Sequence, residues 1–219
     1  MASTAVVIPA SEHNVYSPEG DLAPFGDVSL LEWKLSQLKA LGDRVRVYVS
    51  TSSPRIAAIA GAQGGGIIHR PADISLQAMI KHALESVSED VVLWTFVTVP
   101  FVSAGDYNSY LEAYDAGRDG HDSLLTVHTL HEYALYRGEP VNFSPREHRS
   151  RREIDPVQVI TNGCFIIGRE LGLRLNSYHG EKPLRHEVSR LTAMEIKDFE
   201  DLTIANDLLT RYMRLKEMA

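Results

Sequence analysis

Cysteine is nearly missing from this chain of 219 residues: Cys164 is its one thiol. No intramolecular disulfide can form and no cysteine-based zinc site can be assembled, which fits a reducing, cytoplasmic setting. Long apolar runs are also missing, since none approaches 18 residues, so a membrane partner is not expected. Met1-Ala2-Ser3-Thr4 carries no basic stretch, so the sequence gives no sign of a signal peptide. Basic charge is the minority sign: 22 Lys and Arg against 29 Asp and Glu leave a formal charge of -7. Such a balance argues against sequence-independent nucleic-acid binding, which depends on clustered cations. No GxSxG elbow supports a serine hydrolase.

What is present is alternation. Strand-length apolar runs at 5–9, 45–49, 67–69, 91–97 and 123–129 are separated by helical-period stripes, the pattern of βαβ units around a largely parallel sheet. Leu30, Leu31, Trp33, Leu35 and Leu38 form one stripe; Ile74, Met79, Ile80 and Leu84 another; Tyr107, Tyr110, Leu111 and Tyr114 a third. The stretch "GAQGGG" at 61–66 follows a helix and precedes a strand, the wrong side for an anion site, and reads as a flexible connection. After Thr129 short strand-like pieces at 133–136, 141–143, 157–160 and 164–167 flank the polar stretch "SPREHRSRREIDP". That region, 130–190, reads as an inserted β-subdomain or dimerisation arm within a single α/β domain of 1–219. A further strand is expected at 191–196, then a closing helix with Phe199, Leu202, Ile204, Ala205, Leu208, Leu209, Tyr212 and Leu215 on its apolar face.

The order of these pieces resembles the CMP-sugar synthetases, the acylneuraminate and related cytidylyltransferases, over nearly the whole chain. Residues 8–33 lie on the family's IPARxxSKGxPxKNxxxLxGKPLIxW without a gap, with Pro9-Ala10, Pro18, Leu22, Leu30-Leu31 and Trp33 coinciding. "RVYVSTSSPRIAAIA" resembles VxVSTDDxxIAxxA, and "HRPADIS" resembles RPxxLA. "VVLWTFVTVPFVS" is similar to VVxLQPTSPLR, "HDSLLTVH" to the DSxxSV strand, "RREIDPVQVITNGCFII" to RRQDLPxxYxxNGAxYI, and "AMEIKDFEDLTIAND" to IDIDTxEDFxxAE. The resemblance implies a three-layer α/β fold of the nucleotide-diphospho-sugar transferase type, with a mostly parallel sheet flanked by helices and a small inserted β dimerisation arm. It implies transfer of CMP from CTP to an acidic sugar of the nonulosonate (sialic acid) or KDO type, with Mg²⁺ as cofactor and a homodimer as the assembly.

That reaction requires cations along a triphosphate, carboxylates for a divalent ion and a pocket that orients the acceptor. In the loop after the first strand the family's Arg falls on Ser11, its Lys on Val15, the following Gly on Tyr16, and the later Lys and Asn on Gly20 and Asp21. Residual nucleotide contacts are expected from Ala10, Ser11, Asn14, Ser17 and backbone N–H groups, against repulsion from Glu12, Glu19 and Asp21. The metal-binding aspartates fall on Glu195 and Lys197, so Glu195 is the expected metal ligand and Lys197 a catalytic cation in place of the second carboxylate. Acceptor binding is expected at Arg151 and Arg152, whose guanidinium forks suit a carboxylate, and at Thr98 and Asn162; the family's Gln has become Phe96. Asn162-Gly163 reads as a turn needing positive φ, His128 and His131 as a weak HxxH pair, and Cys164 as a buried small residue. Two readings compete with the enzyme. One is a catalytically silent homologue acting as a binding or regulatory subunit; the other is a changed nucleotidyltransferase in which His13, Asn14 or Lys197 takes over charge duties.

Overall fold

Residues 3–217 are described by the computed structural model. The first strand, β1 (Thr4–Pro9), is buried on both sides, which is why its apolar run is continuous rather than alternating. Val6 and Ile8 point into one core and Ala5 and Val7 into another, the two-residue alternation of a pleated strand. Around it lie β2 (Val45–Thr51), β3 (Gly66–His69), β4 (Val91–Trp94), β5 (Ser123–Leu130), β6 (Val157–Gly168) and β7 (Pro183–Glu187) in the order β7-β5-β6-β4-β1-β2-β3. All neighbours pair in parallel except β6, which runs antiparallel to β4 and β5.

Helices cover both faces. Against Val6 and Ile8 pack α1 (Leu30–Lys39), α2 (Pro54–Ala62), α4 (Ala104–Gly117) and the start of α6 (Phe199–Glu217). Against Ala5, Val7 and Trp94 pack α3 (Leu76–Ser86) and α5 (Arg169–Leu175), the latter through Leu173. The result is the three-layer, mostly parallel α/β architecture expected from the alternation of strands and stripes. Local sequence sets the helix starts: Ser29 with Glu32 and Ser103 with Asp106 form capping boxes, while Ser53 and Ser75 cap α2 and α3. The tyrosine stripe of α4 is buried throughout, and the "GAQGGG" connection leads from α2 to β3 with Gly64 at φ 83°.

Four expectations are corrected. Residues 191–196 form a turn and an extended segment instead of a strand; Ile196 N–H donates to Thr98 O at 2.8 Å, a single bond to the loop after β4. The strand at that sheet edge is β7, whose charged sequence PLRHE is half exposed and lacks the apolar signal of a buried strand. Residues 157–160 and 164–167 belong to one strand, β6, with a register shift against β5 between Ile160 and Phe165. Asn162-Gly163 sits at that irregularity without a positive φ; a Cβ on Gly163 would lie 3.1 Å from Thr126 Oγ1 and 3.3 Å from Thr161 Oγ1, so a larger residue would press on both hydroxyls. In α6, Leu202, Ala205 and Leu209 are buried whereas Phe199 is 72% exposed and Ile204 43%. Tyr212 and Leu215 lie outside the described side chains.

Between β5 and β6 the chain leaves the main sheet. A two-residue ribbon pairs Leu135–Tyr136 with Glu139–Pro140, and 141–143 is irregular. Asn142 clasps this segment, donating to Glu132 O at 2.9 Å and Asp155 O at 2.7 Å while accepting from Ala134 N–H at 2.9 Å.

A lysine is among the buried polar side chains. Lys34 on α1 is fully enclosed, its ammonium donating to Val99 O at 2.8 Å and to Tyr107 Oη at 2.9 Å. Tyr107 Oη lies 2.6 Å from Thr95 Oγ1, which donates to Gly163 O at 3.0 Å. This chain of polar contacts joins α1 and α4 to the ends of β4 and of the β6 irregularity. Burial pulls the Lys34 amine down to about 7.

Candidate functional site

Strand order decides where a site can lie. From β1 the chain steps outward to β2 and β3, then returns to β4 on the other side of β1, so a crevice opens at the carboxyl ends of β1 and β4. A cleft of about 220 Å³ sits there, lined by Pro9, Ala10, Ser11, Asn14, Asp21, Arg70, Phe96, Val97 and Thr98. Of the expected residues, Ala10, Ser11, Asn14 and Thr98 therefore meet at one place.

The loop at residues 10–21 closes on itself. Ser11 N–H donates to Asp21 Oδ2 at 2.7 Å, and Asp21 N–H returns a bond to Ser11 O at 2.9 Å. Asn14 Nδ2 donates to Asp21 Oδ1 at 3.3 Å and to Tyr16 Oη at 3.1 Å, and the Tyr16 hydroxyl donates to Asp21 Oδ1. Gly20, at φ 54°, makes the closure possible, because a Cβ there would lie 2.4 Å from Ser11 O. Ser17 shapes the loop from outside the cleft: its hydroxyl accepts from Glu19 N–H at 3.1 Å and its backbone bridges to Asn14. Glu12 turns toward α2, where it accepts from the Ser53 hydroxyl, and Val15 is 87% exposed.

Arg70, just past β3, is the cation that reading the loop alone misses. Its Nη2 donates to Ala10 O at 3.1 Å and its Nε to Ser50 O at 3.3 Å, and its charge acts on Asp21. It is the one Lys or Arg among the residues lining the cleft. The visible signal was an arginine directly after a strand, in "HRPADIS", at the edge where ligands gather. Asp21 is 3% exposed. Loss of hydration pushes its carboxyl up to about 6, opposed by the bonds from Tyr16, Ser11 and Asn14 and by Arg70.

A second cluster joins the first through the bond from Ile196 N–H to Thr98 O. There Asn162 Nδ2 donates to Glu195 Oε1 at 2.5 Å, and Lys197 Nζ stands 3.8 Å from Glu195 Oε2. The structure thus brings Asn162, Glu195 and Lys197 together, but Glu195 already has a partner at each oxygen. No group of three His, Cys, Asp or Glu capable of holding a metal occurs among the described residues. This donor set does not fit a protein-held Mg²⁺; an ammonium stands where a second carboxylate is needed.

Arg151 and Arg152 lie apart, on the outlying segment. Arg151 pairs with Glu132 at 2.9 Å in an exposed contact, and Arg152 is exposed. His128 meets Val188 O at 3.1 Å while His131 is exposed, so the HxxH pair does not converge. Cys164 is buried, and burial raises its thiol well above its ordinary value. Among the described residues no helix is long and apolar enough to cross a membrane.

No protein-family model matches the chain, and no curated relative matches it by sequence. Solved structures do match. A 4-diphosphocytidyl-2C-methyl-D-erythritol synthase from Anaerococcus prevotii superposes with a TM-score of 0.72 at 14% identity, over 95% of this chain and 99% of that one. A CMP:2-keto-3-deoxy-manno-octonic acid synthetase solved with CTP gives 0.70 at 15% identity, over 96% and 99%. A 2-C-methyl-D-erythritol 4-phosphate cytidylyltransferase from Thermus thermophilus gives 0.58 at 20% identity, over 94% and 98%. The fold is therefore that of the cytidylyltransferases, nucleotide-diphospho-sugar transferase-like.

Proposed function

We propose that the cleft between β1 and β4 is a nucleotide site and that the chain is a CTP-using nucleotidyltransferase with an acidic sugar as acceptor. The observation that carries this reading is Arg70, a guanidinium held on Ala10 O and Ser50 O at the topological switch point of a cytidylyltransferase fold. In the reaction the acceptor hydroxyl oxygen forms a bond to the α-phosphorus of CTP. The bond from that phosphorus to the bridging oxygen breaks, pyrophosphate leaves with the electron pair, and the hydroxyl proton passes to water. Arg70 and the amides of the loop would stabilise the phosphate oxygens, and Thr98 and Asn162 border the acceptor side. Lys197, 72% exposed at its side chain, supplies positive charge beside Glu195. Mg²⁺ carried in by CTP would depend on phosphate oxygens and water for its other ligands.

Calorimetric titration with CTP, alongside a pyrophosphate-release assay over a panel of acidic sugars, tests this. Arg70→Met is expected to weaken CTP binding by about 10- to 100-fold, the worth of one charge-assisted contact. Absence of CTP binding by the wild-type chain would overturn the reading. A second reading, a silent homologue that binds without turnover, is favoured by the Glu195–Lys197 pair and predicts CTP binding with no pyrophosphate release from any acceptor.

We also propose that two copies pair through the outlying segment, where Leu135, Tyr136 and Val141 are exposed apolar residues, continued by Val159 and Ile160 at the start of β6. The double change Leu135→Asp with Tyr136→Asp is expected to convert a sedimenting dimer to monomer. Monomeric wild-type protein at micromolar concentration would refute the pairing.

A further inference from the structure

Three donors of the loop at residues 10–21 converge on one side chain of the chain itself. The Ser11 N–H, the Asn14 amide and the Tyr16 hydroxyl all donate to Asp21, and Arg70, which lines the same cleft, acts on it through its charge. Backbone N–H, neutral donors and a guanidinium converging at the carboxyl edge of a parallel sheet are the partners a phosphate group would need. Here a carboxylate already has them. It is held in place twice over, by the reciprocal bond between Asp21 N–H and Ser11 O and by the close approach of Gly20 to Ser11.

We infer that Asp21 is a built-in anion that competes with the phosphate groups of a ligand for the donors of the cleft, lowering affinity for the phosphate end without lowering it for the nucleoside end. This rests on the nucleotide-site reading above and adds the residue that governs specificity within it. A phosphate chain entering the cleft must displace the carboxylate or find it protonated. Two like charges a few ångströms apart in a dehydrated cleft repel strongly. The titratable and charged groups facing Asp21 are Tyr16 from the same loop and Arg70 from beyond β3; Phe96, Val97 and Thr98, from beyond β4, carry no charge. Arg70 stays cationic and Tyr16 neutral across the accessible range, since burial raises the tyrosine. Asp21 is the group in this network that changes charge near neutrality, and its loss of hydration moves that change upward.

The test is calorimetric titration of the full chain with cytidine, CTP and inorganic tripolyphosphate, for the wild type and Asp21→Asn, at pH 8 and pH 5.5. Asparagine keeps the shape and an acceptor for Ser11 N–H while removing the charge. Expected for the variant at pH 8 is a gain of about tenfold or more for CTP and tripolyphosphate, with cytidine changed by less than about threefold. Wild-type protein is expected to bind tripolyphosphate more tightly at pH 5.5 than at pH 8. The ligand's own protonation works the other way, and the part of the gain that Asp21→Asn abolishes reports on Asp21. If cytidine binds but neither the substitution nor acidification improves phosphate binding, the inference fails and the nucleotide site stands. Should none of the three ligands bind either protein at either pH, both fail together. Where Asp21→Asn does not fold, Asp21→Ser is titrated in its place, with the same gain for CTP and tripolyphosphate expected and its absence overturning the inference.

Discussion

Conformational stability of the wild-type chain is expected to rise by about 2 kcal/mol from pH 7 to pH 9, and Lys34→Met is expected to flatten that rise. The folded chain holds the Lys34 amine at about 7 against 10.5 for a free lysine. Between those values the unfolded chain binds a proton that the folded chain has released, so stability increases with pH. Below pH 7 both states are protonated and the folded chain carries the full cost of a buried ammonium, compensated in part by Val99 O and Tyr107 Oη. Other shifted groups act outside this window. The Asp21 carboxyl, raised from 3.8 to about 6, stabilises the fold below its ordinary range, and that contribution is gone once the pH passes 6. The His186 ring, lowered from 6.5 by burial, makes most of its contribution below pH 7. Cys164, Tyr107 and Tyr110, all raised by burial, favour the unfolded chain only as the pH passes 9 and 10. Urea midpoints at pH 7, 8 and 9 read the effect. Methionine leaves Val99 O without its donor, a pH-independent cost of about 1–3 kcal/mol. A wild-type slope unchanged by Lys34→Met would show that another group titrates.

The second large effect belongs to Gly20. Gly20→Ala is expected to cost about 3 kcal/mol or more, whereas Gly42→Ala is expected to cost about 1 kcal/mol. Both glycines have nearly the same backbone, φ 54° and 59°, so the strain of a left-handed alanine is common to both. They differ in surroundings: a Cβ on Gly20 would meet Ser11 O at 2.4 Å and His13 N at 2.6 Å, and a Cβ on Gly42 would meet nothing within 4 Å. Those contacts are backbone, which no side-chain rotation relieves, so the loop must open. Opening it separates Asp21 from Ser11 and rehydrates the carboxylate. The Gly20 variant is therefore also expected to lose the stability change between about pH 4 and pH 6 that the raised Asp21 carboxyl produces. Chemical denaturation of the two variants over that range checks both parts. Equal costs for the two substitutions would mean that the close approach at Gly20 carries no energy.

Local signals made much of this fold legible. The apolar runs of β1, β2 and β5, the tyrosine stripe of α4 and the serines that cap α1, α2, α3 and α4 act over a few residues, so the sequence displays them directly. Where the signal was weak, the reading failed: β7 is a charged edge strand, and residues 191–196 are apolar for burial of Ile196 and not for pairing. In the site, the loop after β1 was recognisable and its lack of Lys and Arg was visible. That Arg70 stands beside this loop was not, because Arg70 is 60 residues from Ala10 and reaches it only after β2 and β3 are laid beside β1.

The amino-acid sequence by itself determined the layers: period-2 and period-3.6 patterns specify which segments bury which faces, and capping serines specify where helices begin. Tertiary structure alone decided the charges. Whether Asp21 repels an anion or replaces one, whether Lys34 is a solvated cation or an enclosed amine, and whether Glu195 is free for a metal or bound to Asn162 and Lys197 all depend on neighbours distant in sequence. Burial and partner placement set the energy of a charge, and both arise when the sheet brings remote segments within a few ångströms of one another.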